Sequence, residues 1–275
     1  MKTIKMRNPG IAAHCACSHS LRILQHFLYA SWEDPKSPIW ISHVCRLWRQ
    51  VSLLNPDLWT TIRIGGRYQE SYITSLIQRS RSRPVSLKYT GNTGTSVMGV
   101  RKFLVGCDHD CQWKEVHVHV PHSWKALPKI LSKSWDTLET LVLTTYLHFQ
   151  TGVLDLESAT RLTSLSIFHC ERELSIIFKF SPGLTHLNLN VRTPPKDVVT
   201  LLRMCPNLEE CIIALFGSWA SDFYIPKPPV HLPKMRKLHI RSRHVASLVE
   251  TLTAPVLQDL LLQNVPASGQ IYRGT

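Results

Sequence analysis

The apolar positions of this chain fall into a signature, apolar-x-x-apolar-x-apolar, that returns six times in its second half. The instances are Leu138/Leu141/Leu143, Leu162/Leu165/Ile167, Leu184/Leu187/Leu189, Leu208/Cys211/Ile213, Met235/Leu238/Ile240 and Leu257/Leu260/Leu262. Their first positions follow one another at 24, 22, 24, 27 and 22 residues. At 44% hydrophobic content about one random window in twelve would match, so a single match carries no weight. Six at a near-constant period describe an array. Each signature predicts a strand with its apolar side chains inward. Upstream, Leu21, Leu24, Phe27 and Leu28 have helical spacing, and the two prolines of 31–38 break it. A second helix is predicted over 39–54, with Ile41, Val44, Cys45, Trp48 and Val51 on one face, stopped by Asn55-Pro56. Leu58, Trp59, Ile62 and Ile64 then alternate like a short strand. Helices at 68–80 and 96–106 alternate with strands carrying Val85, Leu87 and Tyr89, and Trp113, Val116, Val118 and Val120. Later helices are predicted after Thr193, an N-cap with Pro194 in the first turn, and over 243–252. The connections 144–160 and 216–233 lack a helical pattern.

A period of 20 to 29 residues with this spacing is the mark of leucine-rich repeats. Such a unit buries its apolar side only by stacking on a neighbour. The expectation for 66–275 is therefore an α/β leucine-rich-repeat solenoid with a parallel concave sheet. Residues between the signature positions face out of that sheet. The candidates for contacting a bound macromolecule are Glu139, Val142, His186, Asn188, Glu210, Ile212, Lys237, His239, Asp259 and Leu261. They mix both charge signs with apolar groups, which suits a protein epitope better than a polyanion. The last strand stops without the polar cap that a terminal repeat needs, as in a piece of a longer array.

At 275 residues the chain can bury a large core without disulfides or metals. The net charge is +13. Residues 1–90 hold 13 basic and 4 acidic residues, a net +9, so the basic excess belongs to the N-terminal third. That favours an acidic partner. Cys45, Cys170, Cys205 and Cys211 lie in apolar contexts and read as buried free thiols of a reducing compartment, cytoplasmic or nuclear. No run approaches the roughly 18 apolar residues of a membrane span. Residues 1–19 have no pattern and no apolar signal core, and read as a disordered tail.

Several residue clusters invite chemistry and are weighed down by their spacing. Cys107 and Cys111 precede His117, His119 and His122, but match no common zinc spacing. Cys15 and Cys17 lie with His14 and His19 in the tail. The glycines at 91, 94 and 99 lack the Lys that a phosphate loop needs after its second Gly. Asp108 and Asp110 flank His109 and read as a solvated loop. The basic run at 79–83 reads as a solvated helix end. No serine-nucleophile elbow, zinc-protease helix or dinucleotide fingerprint is present. The reading is a non-enzymatic protein without cofactor or metal.

Ser42-His43-Val44-Cys45-Arg46-Leu47-Trp48-Arg49 and Pro56-Asp57-Leu58-Trp59 closely resemble the middle and end of the F-box-like motif in the large fungal family of F-box and leucine-rich-repeat proteins. Ile23-Leu24-Gln25-His26-Phe27 looks like that motif's first helix. The order downstream is similar too: a helix, the Arg83-Pro84-Val85-Ser86-Leu87 strand, then a strand opened by Trp113. The Leu-Pro that begins the family pattern is absent, and His19-Ser20-Leu21-Arg22 stands there. The resemblance implies an F-box-like domain over 20–65 that docks on a Skp-type adaptor of a cullin-RING ubiquitin ligase, with the repeats holding a protein substrate. It implies adaptor contacts at Leu21, Leu24, Phe27, Leu28, Val44, Cys45, Trp48, Pro56, Leu58 and Trp59. Two other readings stay open. One is a basic repeat protein binding nucleic acid or phosphate, which the mixed outer face disfavours. The other is a repeat scaffold that has lost ligase binding.

Overall fold

In the computed structural model the described residues are 37–65, 70–90, 112–120, 135–145, 152–173, 176–179, 183–217 and 228–264. Two short helices, α1 (Ser37–Val44) and α2 (Arg46–Leu54), lead through a 3₁₀ turn (Pro56–Trp59) into strand β1 (Thr61–Gly65). Helix α3 (Glu70–Ser80) precedes β2 (Val85–Thr90) and β3 (Trp113–Val120). Then come β4 (Thr140–Thr145), β5 (Gly152–Asp155), β6 (Ser164–Glu173), β7 (Ile176–Lys179) and β8 (His186–Arg192). Helix α4 (Pro195–Arg203), β9 (Glu210–Leu215), β10 (Val230–His231), β11 (Lys237–Ser242), α5 (Val245–Val249), β12 (Leu252–Thr253) and β13 (Asp259–Asn264) complete the order. Nine of the strands form one sheet, β1-β2-β3-β4-β6-β8-β9-β11-β13, in chain order. Every pair in it is parallel. Parallel neighbours need a crossover between them. In the two intervals without a helical pattern, part of the crossover is a strand. β5 pairs with β7, and β10 with β12, in two small parallel sheets.

The register explains the signature. Leu141, Leu165, Leu187, Cys211 and Leu238 are successive partners across the sheet, as are Leu143, Ile167, Leu189, Ile213 and Ile240. From Leu138 to Ile240 every signature side chain is no more than 3% exposed. Burying one such side chain is worth about 1.5–3 kcal/mol, so the stacked rows supply most of the stability. The rows also run upstream. Trp59/Ile62/Ile64 and Trp113/Val116/Val118 have the same spacing and are buried. Ile62 pairs with Leu87, which pairs with Val116. A bulge opposite Val85 and Ser86 leaves Lys114 as an extra residue on β3, which lets Trp113 and Val116 both face inward.

Two hydrogen-bond patterns repeat with each strand. The amides of Leu138, Leu162, Leu208, Met235 and Leu257 donate to the carbonyls of Trp135, Ala159, Cys205, Leu232 and Ala254, three residues back, at 3.0–3.3 Å. That turn adds an inward position to the signature, and Trp135, Ala159, Cys205 and Leu232 are buried there. Next, single carbonyls accept two amides from the following strand's start. Glu139 O accepts Thr163 and Ser164, Thr163 O accepts Thr185 and His186, and Thr185 O accepts Glu209 and Glu210. Glu209 O and Arg236 O continue the pattern. It fixes where each strand begins relative to its neighbour.

The structure corrects several expectations. The helix expected over 39–54 is two helices, because Cys45 is extended (φ −156°) and caps α2 with its sulfur 3.5 Å from the Trp48 amide. Pro38 sits inside the first turn of α1, where a missing N–H costs nothing. Leu58 and Trp59 lie in the 3₁₀ turn, and the strand begins only at Thr61. Thr193 does not cap α4. Its hydroxyl donates to the Asp197 carboxylate, and Pro194 occupies the cap position. The last signature set is not interior: Leu257 is half-buried, while Leu260 and Leu262 are 48% and 43% exposed on a strand that, among the described residues, pairs along one edge only. Cys45 is exposed, whereas Cys205 and Cys211 are buried. The basic run is only partly solvated: Ser80 is buried, Arg79 lies over the Trp59 ring at 4.6 Å, and Arg83 reaches Asp57 at 3.5 Å. The expectations for residues 1–19, for Leu21, Leu24, Phe27 and Leu28, for the helix at 96–106, and for the clusters at 91–99 and 107–111 lie outside the described residues. Among the described residues no helix is long and apolar enough to cross a membrane.

Candidate functional site

Strand alternation puts every second side chain on the outer face of the sheet, and the parallel register arranges those side chains in rows. One row crosses all nine strands: Arg63, Lys88, His117, Val142, Ser166, Asn188, Ile212, His239 and Leu261. A second row includes Glu115, Thr140, Ser164, His186, Glu210, Lys237 and Asp259. A third carries Thr144, Phe168, Asn190, Ala214 and Arg241. All these side chains are exposed or half-buried. The structure thus brings nine of the ten sequence candidates onto two adjacent rows. Glu139 precedes its strand and reaches Lys114 at 3.8 Å.

Charge divides this face into three zones. Over β1–β3 the first row is basic, with Arg63 opposite Lys88 and Lys88 opposite His117. Burial holds the His117 pKa below its usual value and Lys88 repels its proton, against an opposing pull from Glu115. Over β4–β9 the first and third rows are neutral, with Val142, Ser166, Phe168, Asn188, Asn190, Ile212 and Ala214. Over β9–β13 the second row alternates sign, with Glu210, Lys237 and Asp259, and His186 on β8 stands beside it. His186 Nε2 lies 4.0 Å from Glu210 Oε1, with the Thr185 hydroxyl 2.8 Å from its Nδ1. Lys237 stands between Glu210 and Asp259, and His239 Nε2 approaches Asp259 Oδ2 at 3.0 Å. Exposed pairs of this kind add at most about 1 kcal/mol, so they position more than they stabilise. Sequence reading missed the third row and the Arg63–Lys88 pair. A signal for both existed: the outward position continues one step beyond each signature and also runs through the two upstream coils.

At the other end of the chain, α1 and α2 are tied together by the Arg49 side chain, whose Nε donates to Ser42 O at 2.9 Å. The indole N–H of Trp59 donates to Ser52 O at 2.8 Å and joins α2 to the sheet. Of the residues expected to contact an adaptor, Leu58 and Trp59 are 4% and 1% exposed and act in packing. Trp48 and Pro56 are half-buried, and Val44 and Cys45 are exposed. Trp40, Leu47 and Leu54, which sequence reading did not select, are also exposed, at 62%, 51% and 68%. Their seven-residue spacing was itself a helical signal, but taking 39–54 as one helix put its apolar face on Ile41, Val44, Cys45, Trp48 and Val51 instead. No protein-family model matches the chain, and no curated protein is similar enough to it to count as a relative.

Proposed function

We propose that the chain is a substrate-recognition adaptor of a Skp–cullin–F-box type ubiquitin ligase. In this reading the nine-stranded sheet is the concave wall of a leucine-rich-repeat solenoid and grips a protein substrate. The α1–α2 unit is the F-box-like part and carries the assembly to its Skp-type adaptor in the cytoplasm or nucleus. The role is binding; the chain performs no chemistry of its own. The observation that supports it is the exposure of large apolar side chains on α1 and α2 among the described residues. Trp40, Val44, Leu47 and Leu54 are each more than half exposed, within and beside the stretch that resembles the family motif. Exposed large apolar side chains, where they are contiguous, mark a contact surface.

The test is titration calorimetry of the full chain with a Skp-type adaptor. A complex of micromolar or tighter affinity is expected, weakened at least tenfold by the double substitution Val44→Asp and Leu47→Asp. Both side chains are already exposed, so circular dichroism should not change. A folded sample that forms no complex removes the ligase role and leaves a repeat scaffold. A nucleic-acid reading draws on the net charge of +13. It is opposed by the carboxylates Glu210 and Asp259 on the outer face.

A further inference from the structure

We infer that the first row of the outer face reads an extended acidic–apolar peptide segment: an acidic group seated at Arg63, Lys88 and His117, followed by apolar side chains over Val142 and Ile212. This deepens the substrate side of the preceding reading and rests on it only for the sheet face being the grip. It does not depend on the adaptor.

Arg63 and Lys88 are directly opposite on neighbouring strands. Like charges in that position destabilise a sheet. His117, next in the row, is half-buried with its proton disfavoured. Its neutral ring offers an N–H to an oxygen of the same anion. The row on these strands contains no carboxylate; Glu115 lies in the neighbouring row. A long polyanion is a poor occupant, because the row turns neutral at β4 and the second row turns acidic at Glu210 and Asp259. A short acidic stretch with an apolar continuation matches all of it.

The spacing follows from geometry. Strands lie about 4.8 Å apart and an extended peptide advances about 3.3 Å per residue. From Arg63 on β1 to Val142 on β4 is three strand steps, or about four residues. From Val142 to Ile212 on β9 is three steps, or about four residues. The segment read is thus an acidic residue, an apolar residue about four positions on, and another about four beyond that, all on one face of the extended chain.

The probe is a fluorescein-labelled decapeptide with Glu, Leu four residues later and Leu four residues after that. It is titrated with the full chain by anisotropy in low salt. Saturable binding is expected, falling at least tenfold with Gln in place of Glu and at least tenfold with Lys88→Glu. The Lys88→Glu protein should prefer the peptide with Lys at the acidic position. Salt should weaken binding, since Lys88 is exposed. Phosphoserine in place of Glu separates the two sources of the anion, according to which peptide binds tighter. No binding up to millimolar peptide, equal binding of the Glu and Gln peptides, or indifference to Lys88→Glu overturns the inference. So does a single-stranded oligonucleotide that binds more tightly than the peptide and is unaffected by Ile212→Ala. Adaptor titration of the unsubstituted chain keeps the two readings apart: adaptor binding without peptide binding sinks only this one, and peptide binding without adaptor binding sinks only the ligase role.

Discussion

Cys211 occupies an inward signature position and Cys205 the inward turn position before it, so two thiols stand where the neighbouring repeats of the pattern have leucine, alanine or tryptophan. Burial pushes the Cys205 thiol up to about 12 from its ordinary 9.0, and burial next to Cys205 pushes Cys211 higher still. The sign of the consequence is fixed. Above pH 9 the unfolded chain releases thiol protons that the folded chain retains, so stability falls as pH rises from about 9 towards 12. The loss approaches about 1.4 kcal/mol per pH unit for each thiol. Urea denaturation at pH 8 and pH 10 should show it, and Cys205→Ala with Cys211→Ala should flatten it; an unchanged slope would mean that these thiols do not control it. Cys45, by contrast, should react with an alkylating reagent at pH 8 well before Cys205 and Cys211. Its exposure was not legible in the sequence, where apolar neighbours suggest burial. Those neighbours, Val44 and Leu47, are themselves exposed, so apolar company carried no information about solvent there.

At the scale of the strand, the same residue type has two fates. Leu238 on β11 has β9 on one side and β13 on the other, and is 3% exposed. Leu262 on β13 has, among the described residues, a strand on one side only and is 43% exposed. Leu238→Ala should cost about 2–5 kcal/mol, the range for emptying a packed aliphatic site. Leu262→Ala should stay within about 1 kcal/mol. Denaturant midpoints of the two variants check this, and equal losses would show that β13 is covered in solution. The signature made both residues legible as inward positions. What it lacked was the neighbour, since burial in a stack belongs to a pair of strands and not to either alone. The short strands in two of the crossovers were illegible for a similar reason. Gly152–Asp155 and Val230–His231 become strands only by pairing with segments more than twenty residues away.

Across the molecule, stability runs from strand to strand through contacts between immediate neighbours. Amides of β13 should therefore exchange with deuterium well before those of β9, which is paired on both sides. Peptide-resolved exchange measures this, and uniform protection would contradict it. The parallel order of the sheet was legible because a fixed period and a repeated inward pattern leave few other ways to bury so many leucines. The outer face was legible row by row only where the period was clean, which is why its basic end was overlooked. The steps between signatures range from 22 to 27 residues, yet Leu187, Cys211 and Leu238 stay in strict register. The slack lies wholly in the crossovers, because the doubly accepting carbonyls pin where each strand starts. Length and lettering are thus independently editable here: residues can be gained or lost on the far side without shifting a single side chain along the row, so a change of ligand calls for substitutions at the surface and never for a rebuilt frame.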